Sequence, residues 1–267
     1  MSHYLSAVAL ICVTDTETEA VMRMYDWKET RFPGDEQCYY EASFERDGVS
    51  HRVVTARQDE MGMTASATLS MKLIDHFRPK YLIMTGIAAG VVLPDVEDQL
   101  YGDVVLADVV WNYSSGKFVS PEKADIRFGE VGFIPRPTVV RLQDWLMPYI
   151  RQAADSLENE THVYIGPMAS GSAVVANQEI LNTQIRHSFH NTAGLDMEAY
   201  AVMYAAEHAT QPRPTPIIAK SVCDYADSRK SDQYQKFAAF TSCQFVQLLI
   251  EKHLPLDLES SAADSPQ

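Results

Sequence analysis

Four places in the sequence set a carboxyl group or a glycine-rich turn at the end of an apolar run. Glu17 follows Tyr4–Val13, Gly86–Gly90 follows Tyr81–Thr85, Gly166–Gly171 follows His162–Ile165, and Cys223-Asp224 closes Pro216–Val222. In α/β sheets ligands collect beyond the carboxyl ends of strands, so these are the places where a substrate would sit. A carboxyl group held there is a candidate general acid or base. Each feature also has a plain structural reading, the acids as helix caps and the glycines as turns. The cysteines Cys12, Cys38, Cys223 and Cys243 show no CxxC spacing, and the histidines form no ligand-spaced cluster. No metal or other cofactor is therefore expected.

The elements that would position these groups alternate along the chain. Tyr4–Val13 is apolar and β-branched enough for a buried strand, and helical spacing follows from Glu17 to about Asp26. Cys38–Phe44 and His51–Ala56 flank the turn-like Arg46-Asp47-Gly48 and predict a hairpin. Met63–Phe77 reads as a helix, Tyr81–Thr85 as a strand ending in the Gly86–Gly90 turn, and Val104–Val110 as another strand. In the second half, Pro137–Ala154 predicts a helix with proline in its first turn. His162–Ile165 is a strand, Gly166–Gly171 a loop and Asn177–Phe189 a helix. Leu195–Glu198 leads into a helix through His208, and Gln233–His253 is the closing helix after the strand Pro216–Val222. Such alternation favours an α/β layer structure with a parallel or mixed sheet.

No linker or repeat divides the chain, so residues 1–258 are expected to form one domain and 259–267, small and polar, a flexible tail. Acidic residues outnumber basic ones 36 to 22, a formal charge of -14 that opposes general attraction to nucleic acid or anionic membrane. A small anion held by local cations stays open. No apolar run approaches the roughly 20 residues of a membrane span, and the first residues lack the pattern of a signal peptide. With cysteines mostly in apolar surroundings, a reducing, cytoplasmic setting is expected.

Read together and in order, several segments resemble the purine nucleoside phosphorylase and nucleosidase superfamily. They are TGIAAG at Thr85–Gly90, YGDVVLAD at Tyr101–Asp108, SGSAVV at Ser170–Val175, IRHSF at Ile185–Phe189, LDMEAYAV at Leu195–Val202 and SVCDYAD at Ser221–Asp227. The pattern is most similar to the methylthioadenosine/S-adenosylhomocysteine nucleosidase branch, and it runs from about Tyr4 to His253. The resemblance implies a three-layer, single-domain α/β fold whose twisted mixed sheet, partly closed like a barrel, is flanked by helices. It also implies a homo-oligomer, a dimer or larger, and a small-molecule purine nucleoside or nucleotide as the partner.

The resemblance further implies residue roles. Cleaving an N-glycosidic bond sends electrons into the purine and leaves an oxocarbenium-like sugar, so a proton donor is needed at the base and negative charge near the ribose. Asp224 matches the family's acid at purine N7, for which it must carry a proton. Glu198 matches the glutamate at the ribose hydroxyls, with Met197 packed on the sugar. Glu17 lies where the nucleosidase branch keeps the carboxylate that activates water, with Glu19 as the alternative two residues on. Val174 and Val175 line the base, where relatives often carry an aromatic residue and an isoleucine. Ala88, Gly90 and Cys223 complete the expected lining.

Phosphorylases of the superfamily hold phosphate with arginine and a hydroxyl around the TG turn. Here that turn is Met84-Thr85-Gly86-Ile87, and the first helix offers Glu17 and Glu19. A carboxylate repels a dianion and can deprotonate water, so hydrolysis is expected over phosphorolysis. Phosphorolysis and a non-catalytic nucleotide-sensing module on the same fold are the competing readings. At the 5′ end of the substrate, the aromatic residues of Trp111–Lys117 are candidates to close over the sugar. Ser114, Ser115 and Lys117, with Lys220 and Lys230, are candidates to bind a phosphate. Two lysines in the pocket would favour a nucleotide, and none would favour a neutral nucleoside.

Overall fold

A computed structural model describes residues 3–91, 99–128, 131–157, 161–228 and 231–258. The expected tail and Lys230 lie outside the described residues. The first half comprises β1 (Ser6–Cys12), α1 (Asp15–Val21), β2 (Lys28–Thr30), β3 (Tyr39–Arg46), β4 (Val49–Arg57), α2 (Met63–Phe77) and β5 (Pro79–Gly90). It is followed by β6 (Val104–Asn112), the short strands β7 (Gly116–Val119), β8 (Ile126–Phe128), β9 (Val131–Pro135) and β10 (Val139–Arg141), and α3 (Met147–Asp155). Then come β11 (Val163–Ser170), α4 (Gln178–Ile180), β12 (Gly194–Asp196), α5 (Ala199–Glu207), β13 (Thr215–Asp224) and α6 (Gln235–Leu248).

Alternation along β1 shows how the layers arise. Val8, Leu10 and Cys12 face a core shared with Val21 of α1, Ile150 of α3 and Phe245 of α6. Ala9 and Ile11 face the opposite core, filled by Leu73 and Phe77 of α2 and by Val202 and Met203 of α5. Successive strand side chains point to opposite faces, so a strand apolar on both must be covered by helices on both. The result is a three-layer α/β fold.

The central sheet runs β10-β6-β11-β12-β5-β1-β4-β3-β2, and β13 pairs with both β5 and β6. Because β13 is parallel to β5 and antiparallel to β6, the strands β5, β13, β6, β11 and β12 close into a ring. This is the partly closed mixed sheet that the resemblance implied. The β3–β4 hairpin turns at Asp47 and Gly48, both at positive φ (54° and 76°), as an Asp-Gly turn allows. Among the described residues no helix is long and apolar enough to cross a membrane.

The structure departs from the sequence-based expectation in three places. The helix expected over Pro137–Ala154 begins only at Met147. Before it, β10 pairs with the end of β6 through Val140 opposite Val110, and a 3-10 turn spans Asp144–Leu146. The β-branched pair Val139-Val140 is taken by a free sheet edge, and Pro148, not Pro137, occupies the first helical turn. Secondly, the glycine segments expected as turns are strand: β5 continues through Gly90 and β11 through Ser170. Neighbouring strands on both sides supply the backbone partners that hold these residues extended. Thirdly, Trp111–Lys117, proposed from sequence only for the 5′ end of the substrate, carries the last residues of β6 and the start of a separate three-stranded sheet, β7-β9-β8.

Candidate active site

Glu17 is placed by a local signal. Thr14 caps α1, its hydroxyl accepting the Glu17 N–H (3.2 Å), while Glu17 Oε2 accepts the Thr14 N–H (2.9 Å), a reciprocal capping box. The same oxygen accepts from the Val13 N–H (2.9 Å). Glu17 Oε1 reaches across the sheet to the Ile87 N–H (2.8 Å) and lies 3.4 Å from Lys220 Nζ. Only a glycine allows that approach. A Cβ on Gly86 would lie 1.8 Å from Glu17 Oε1, and Gly86 has φ +136°. Ser242 of α6 steadies the position, its Oγ accepting the Gly86 N–H at 2.7 Å.

Lys220 stands beside Gly86 on β13, in parallel register. It is 1 % exposed, with Asp196 Oδ2 and Glu198 Oε2 each 4.0 Å from its Nζ in addition to Glu17. Burial opposes its charge, but the three carboxylates outweigh burial and hold the ammonium's pKa above its ordinary value. Asp196 ends β12, and its Oδ2 accepts the Ala199 N–H at the start of α5 (2.9 Å). Burial raises its pKa against the pull of Lys220. Glu198 follows at the same helix start, with Oε1 accepting the Gly62 N–H at 2.8 Å. Burial pushes the Glu198 carboxyl up to about 7; Lys220 opposes the rise and the Asp196 charge adds to it.

Asp224 is placed by a β-bulge. Val222 lies opposite Ala88 and Asp224 opposite Ala89, so Cys223 is the extra residue on β13. Alternation breaks there, which lets two successive side chains, Cys223 and Asp224, line one cavity. Asp224 Oδ1 accepts the Ala226 N–H (2.9 Å), and the Cys223 thiol donates to Oδ2 (3.5 Å).

These groups surround a cavity of about 150 Å³. Glu17, Glu198, Asp224, Lys220 and Asp196 line it together with Met197, Val175, Val174, Ala88 and Cys223. Met61 and Val174 form an exposed apolar rim (61 % and 52 %). Of the two glutamates on α1, Glu17 lines the cavity; Glu19 is exposed and pairs with Lys236 at 3.7 Å.

The remaining expected residues lie elsewhere. Gly90 packs against Val222 and Gln99 and does not line the cavity. Lys117 is exposed on β7 and lies off the cavity lining, as do Ser114 and Ser115. Trp111 and Tyr113 are buried behind the wall, with Tyr113 Oη donating to the Ala173 carbonyl (2.6 Å) and its ring filling the space a side chain on Gly171 would need. Lys220, read from sequence as a cation for a phosphate, is instead engaged by three carboxylates. The signal for this was a lysine inside the apolar run Pro216–Val222, since a buried ammonium requires acidic partners. Thr14 gave a different signal, the T-x-x-E spacing to Glu17 that marks a capping box, and Asp196 lies in the segment LDMEAYAV beside Glu198.

Comparison with known proteins matches residues 7–248 to the model of the Phosphorylase superfamily. The chain is 28% identical over 242 residues to the uncharacterized protein y4jS of Sinorhizobium fredii, covering 85% of this chain and 56% of that protein. It is 26% identical over 254 residues to the ATP nucleosidase Cap17 of Escherichia coli, covering 87% and 48%. The chain spans about half the length of these two relatives. Among solved structures, its fold is similar to the 5′-methylthioadenosine/S-adenosylhomocysteine nucleosidase of Neisseria meningitidis in complex with methylthio-immucillin-A. The TM-score is 0.72 at 24% identity, covering 92% of this chain and 99% of that one.

Two outcomes are expected from this geometry. Gly86→Ala drives a methyl group into the Glu17 carboxylate and forces φ +136° on a side-chain-bearing residue. It should lower stability by about 1–3 kcal/mol or more in denaturant titration; an unchanged midpoint would contradict the packing. Glu198 has a folded-state pKa raised from 4.5 to about 7. Its protonated form is therefore favoured by folding, and that stabilisation is complete below about pH 4.5 and lost as pH rises through 7. The Tm of the wild type minus that of Glu198→Gln should fall across this window, and a flat difference would refute the assignment.

Proposed function

The chain belongs to the Phosphorylase superfamily, and from that premise we propose that it hydrolyses the N-glycosidic bond of an adenine nucleoside or nucleotide, releasing the free base. The observation that carries this reading is that Asp224, Glu198 and Glu17 open into one cavity. Asp224 gives a proton to the purine as the C–N bond breaks and its electron pair moves into the base. Glu198 accepts hydrogen bonds from the ribose hydroxyls, and its negative charge favours the oxocarbenium-like sugar. A water bound where Glu17 meets Lys220, the loosest of the four Glu17 contacts, attacks the anomeric carbon and passes its proton to the carboxylate. Met197 packs on the sugar, while Val175, Ala88 and Cys223 border the base.

The choice of water over phosphate rests on charge. Lys220 is the only lysine or arginine among the described lining residues, and three carboxylates engage it. A phosphate dianion would meet net negative charge in a dry site, where repulsion is strong. The same balance favours an uncharged 5′ end. The adenine preference draws on Cap17, which is named for ATP, and on the Neisseria meningitidis enzyme, named for methylthioadenosine. The exposed rim at Met61 and Val174 is suited to cover by a second copy of the chain, and four free cysteines, three of them buried, suit a reducing cytoplasm.

Release of free base is measured from adenosine, methylthioadenosine, inosine and AMP, each with and without phosphate. Base should appear without phosphate, faster from adenine than from hypoxanthine compounds and faster from adenosine than from AMP. Asp224→Asn keeps an acceptor for Ala226 but cannot supply the proton, so it should lose at least about 10²-fold in kcat. Release that strictly requires phosphate defeats the hydrolytic reading, and an undiminished Asp224→Asn enzyme defeats the role of that residue.

A further inference from the structure

The Gly62 N–H that meets Glu198 comes from a turn with no helix cap of its own. Gly62 precedes α2 without a side-chain cap and has φ 103°, a conformation open to few residues. The turn is held instead by Gln58, which is 2 % exposed and absent from the lining of the catalytic cavity. Its backbone N–H donates to the Cys12 carbonyl at the end of β1 (3.0 Å). Its Nε2 donates to the Glu60 carbonyl within the turn (2.6 Å), and its Oε1 accepts from the Ser66 hydroxyl (2.6 Å). Ser66 Oγ also lies 3.1 Å from the Gly62 carbonyl. The side-chain amide thus ties the turn to the first turn of α2 while the backbone of the same residue ties it to β1, and the Gly62 N–H projects from this unit onto Glu198 Oε1 at 2.8 Å.

We propose that Gln58 is a positioning residue for the reaction, fixing the 58–62 turn so that Gly62 orients the Glu198 carboxylate toward the sugar hydroxyls. This rests on the reading of Glu198 as the ribose-binding group. Gln58 touches neither base nor sugar, and it acts through one backbone N–H. A hydrogen bond to a charged acceptor is among the stronger ones, so its loss matters most where the carboxylate must be ionised and correctly aimed.

The test compares wild type, Gln58→Met, Ser66→Ala and the double variant on adenosine and on 2′,3′-dideoxyadenosine, whose sugar offers Glu198 no hydroxyl. Gln58→Met should lose about 10-fold in kcat/KM on adenosine and under about 2-fold on the dideoxy compound, where no hydroxyl needs the aimed carboxylate. Because the Gly62 N–H favours the ionised form of Glu198, its loss should also move the acid limb of the adenosine profile to higher pH. The double variant should be no worse than Gln58→Met, since both changes release the same turn. Equal losses on both substrates, or an unmoved acid limb, overturn the proposal and leave Gln58 a merely structural residue. If Gln58→Met does not fold, Ser66→Ala carries the same comparison. A wild type indifferent to the sugar hydroxyls overturns the reading of Glu198 and this proposal with it.

Discussion

The buried ammonium of Lys220 is the constraint around which the site is built. A charge taken out of water is costly unless partners surround it, and breaking a buried pair costs about 3–5 kcal/mol because one charge is left uncompensated. Lys220 has partners from three separate elements: Glu17 on α1, Asp196 ending β12 and Glu198 opening α5. None of these is close to another in sequence except the last two. Satisfying one lysine therefore fixes where the first helix and α5 sit against β13. The carboxylates in turn depend on the lysine, since burial raises both Asp196 and Glu198 and Lys220 is the largest influence drawing them back, ahead of the hydrogen bonds each accepts.

That cage dictates backbone details that otherwise have no purpose. Glu17 reaches Lys220 and Ile87 only because Gly86 carries no side chain where the carboxylate passes. The ring of strands puts Gly86 and Lys220 side by side on β5 and β13, and the bulge at Cys223 brings Asp224 onto the same cavity. A regular strand would have sent Cys223 and Asp224 to opposite faces. The separation between Asp224 and the carboxylates around Lys220 is thus set by the register of one strand pair.

Much of this was legible in the sequence, and the parts that were not share a cause. The β-branched runs, the Asp47-Gly48 turn and the span Met63–Phe77 specify their elements locally. Thr14-x-x-Glu17 and the ME pair at Met197-Glu198 likewise mark helix starts beside strand ends. Misreadings fell where a neighbour in space decides the outcome. Val139 and Val140 look helical in a periodic window but are taken by the open edge of β6. The glycines of β5 and β11 look like turns because glycine says nothing of the strands that will flank it. Lys220 looked like a ligand for phosphate because its three acidic partners lie 203, 24 and 22 residues away in the chain. Gln58 gave no signal at all, as its role exists only through hydrogen bonds to the turn it holds.

The cage also bears on which nucleophile the site can tolerate. An anion-binding pocket needs uncommitted donors, and the ammonium here is held by carboxylates that would themselves have to be displaced or protonated before a dianion entered. Water imposes no such demand: it is neutral, donates to a carboxylate and accepts from an ammonium, and so fits between groups that are already paired. In the proposed hydrolysis the sugar gains positive charge as the bond breaks, which the surplus of carboxylates stabilises without any movement. A phosphate arriving at the same point would be opposed by that surplus in the ground state. A single charge distribution therefore serves the transition state of the proposed hydrolysis and penalises the entry of its phosphorolytic rival.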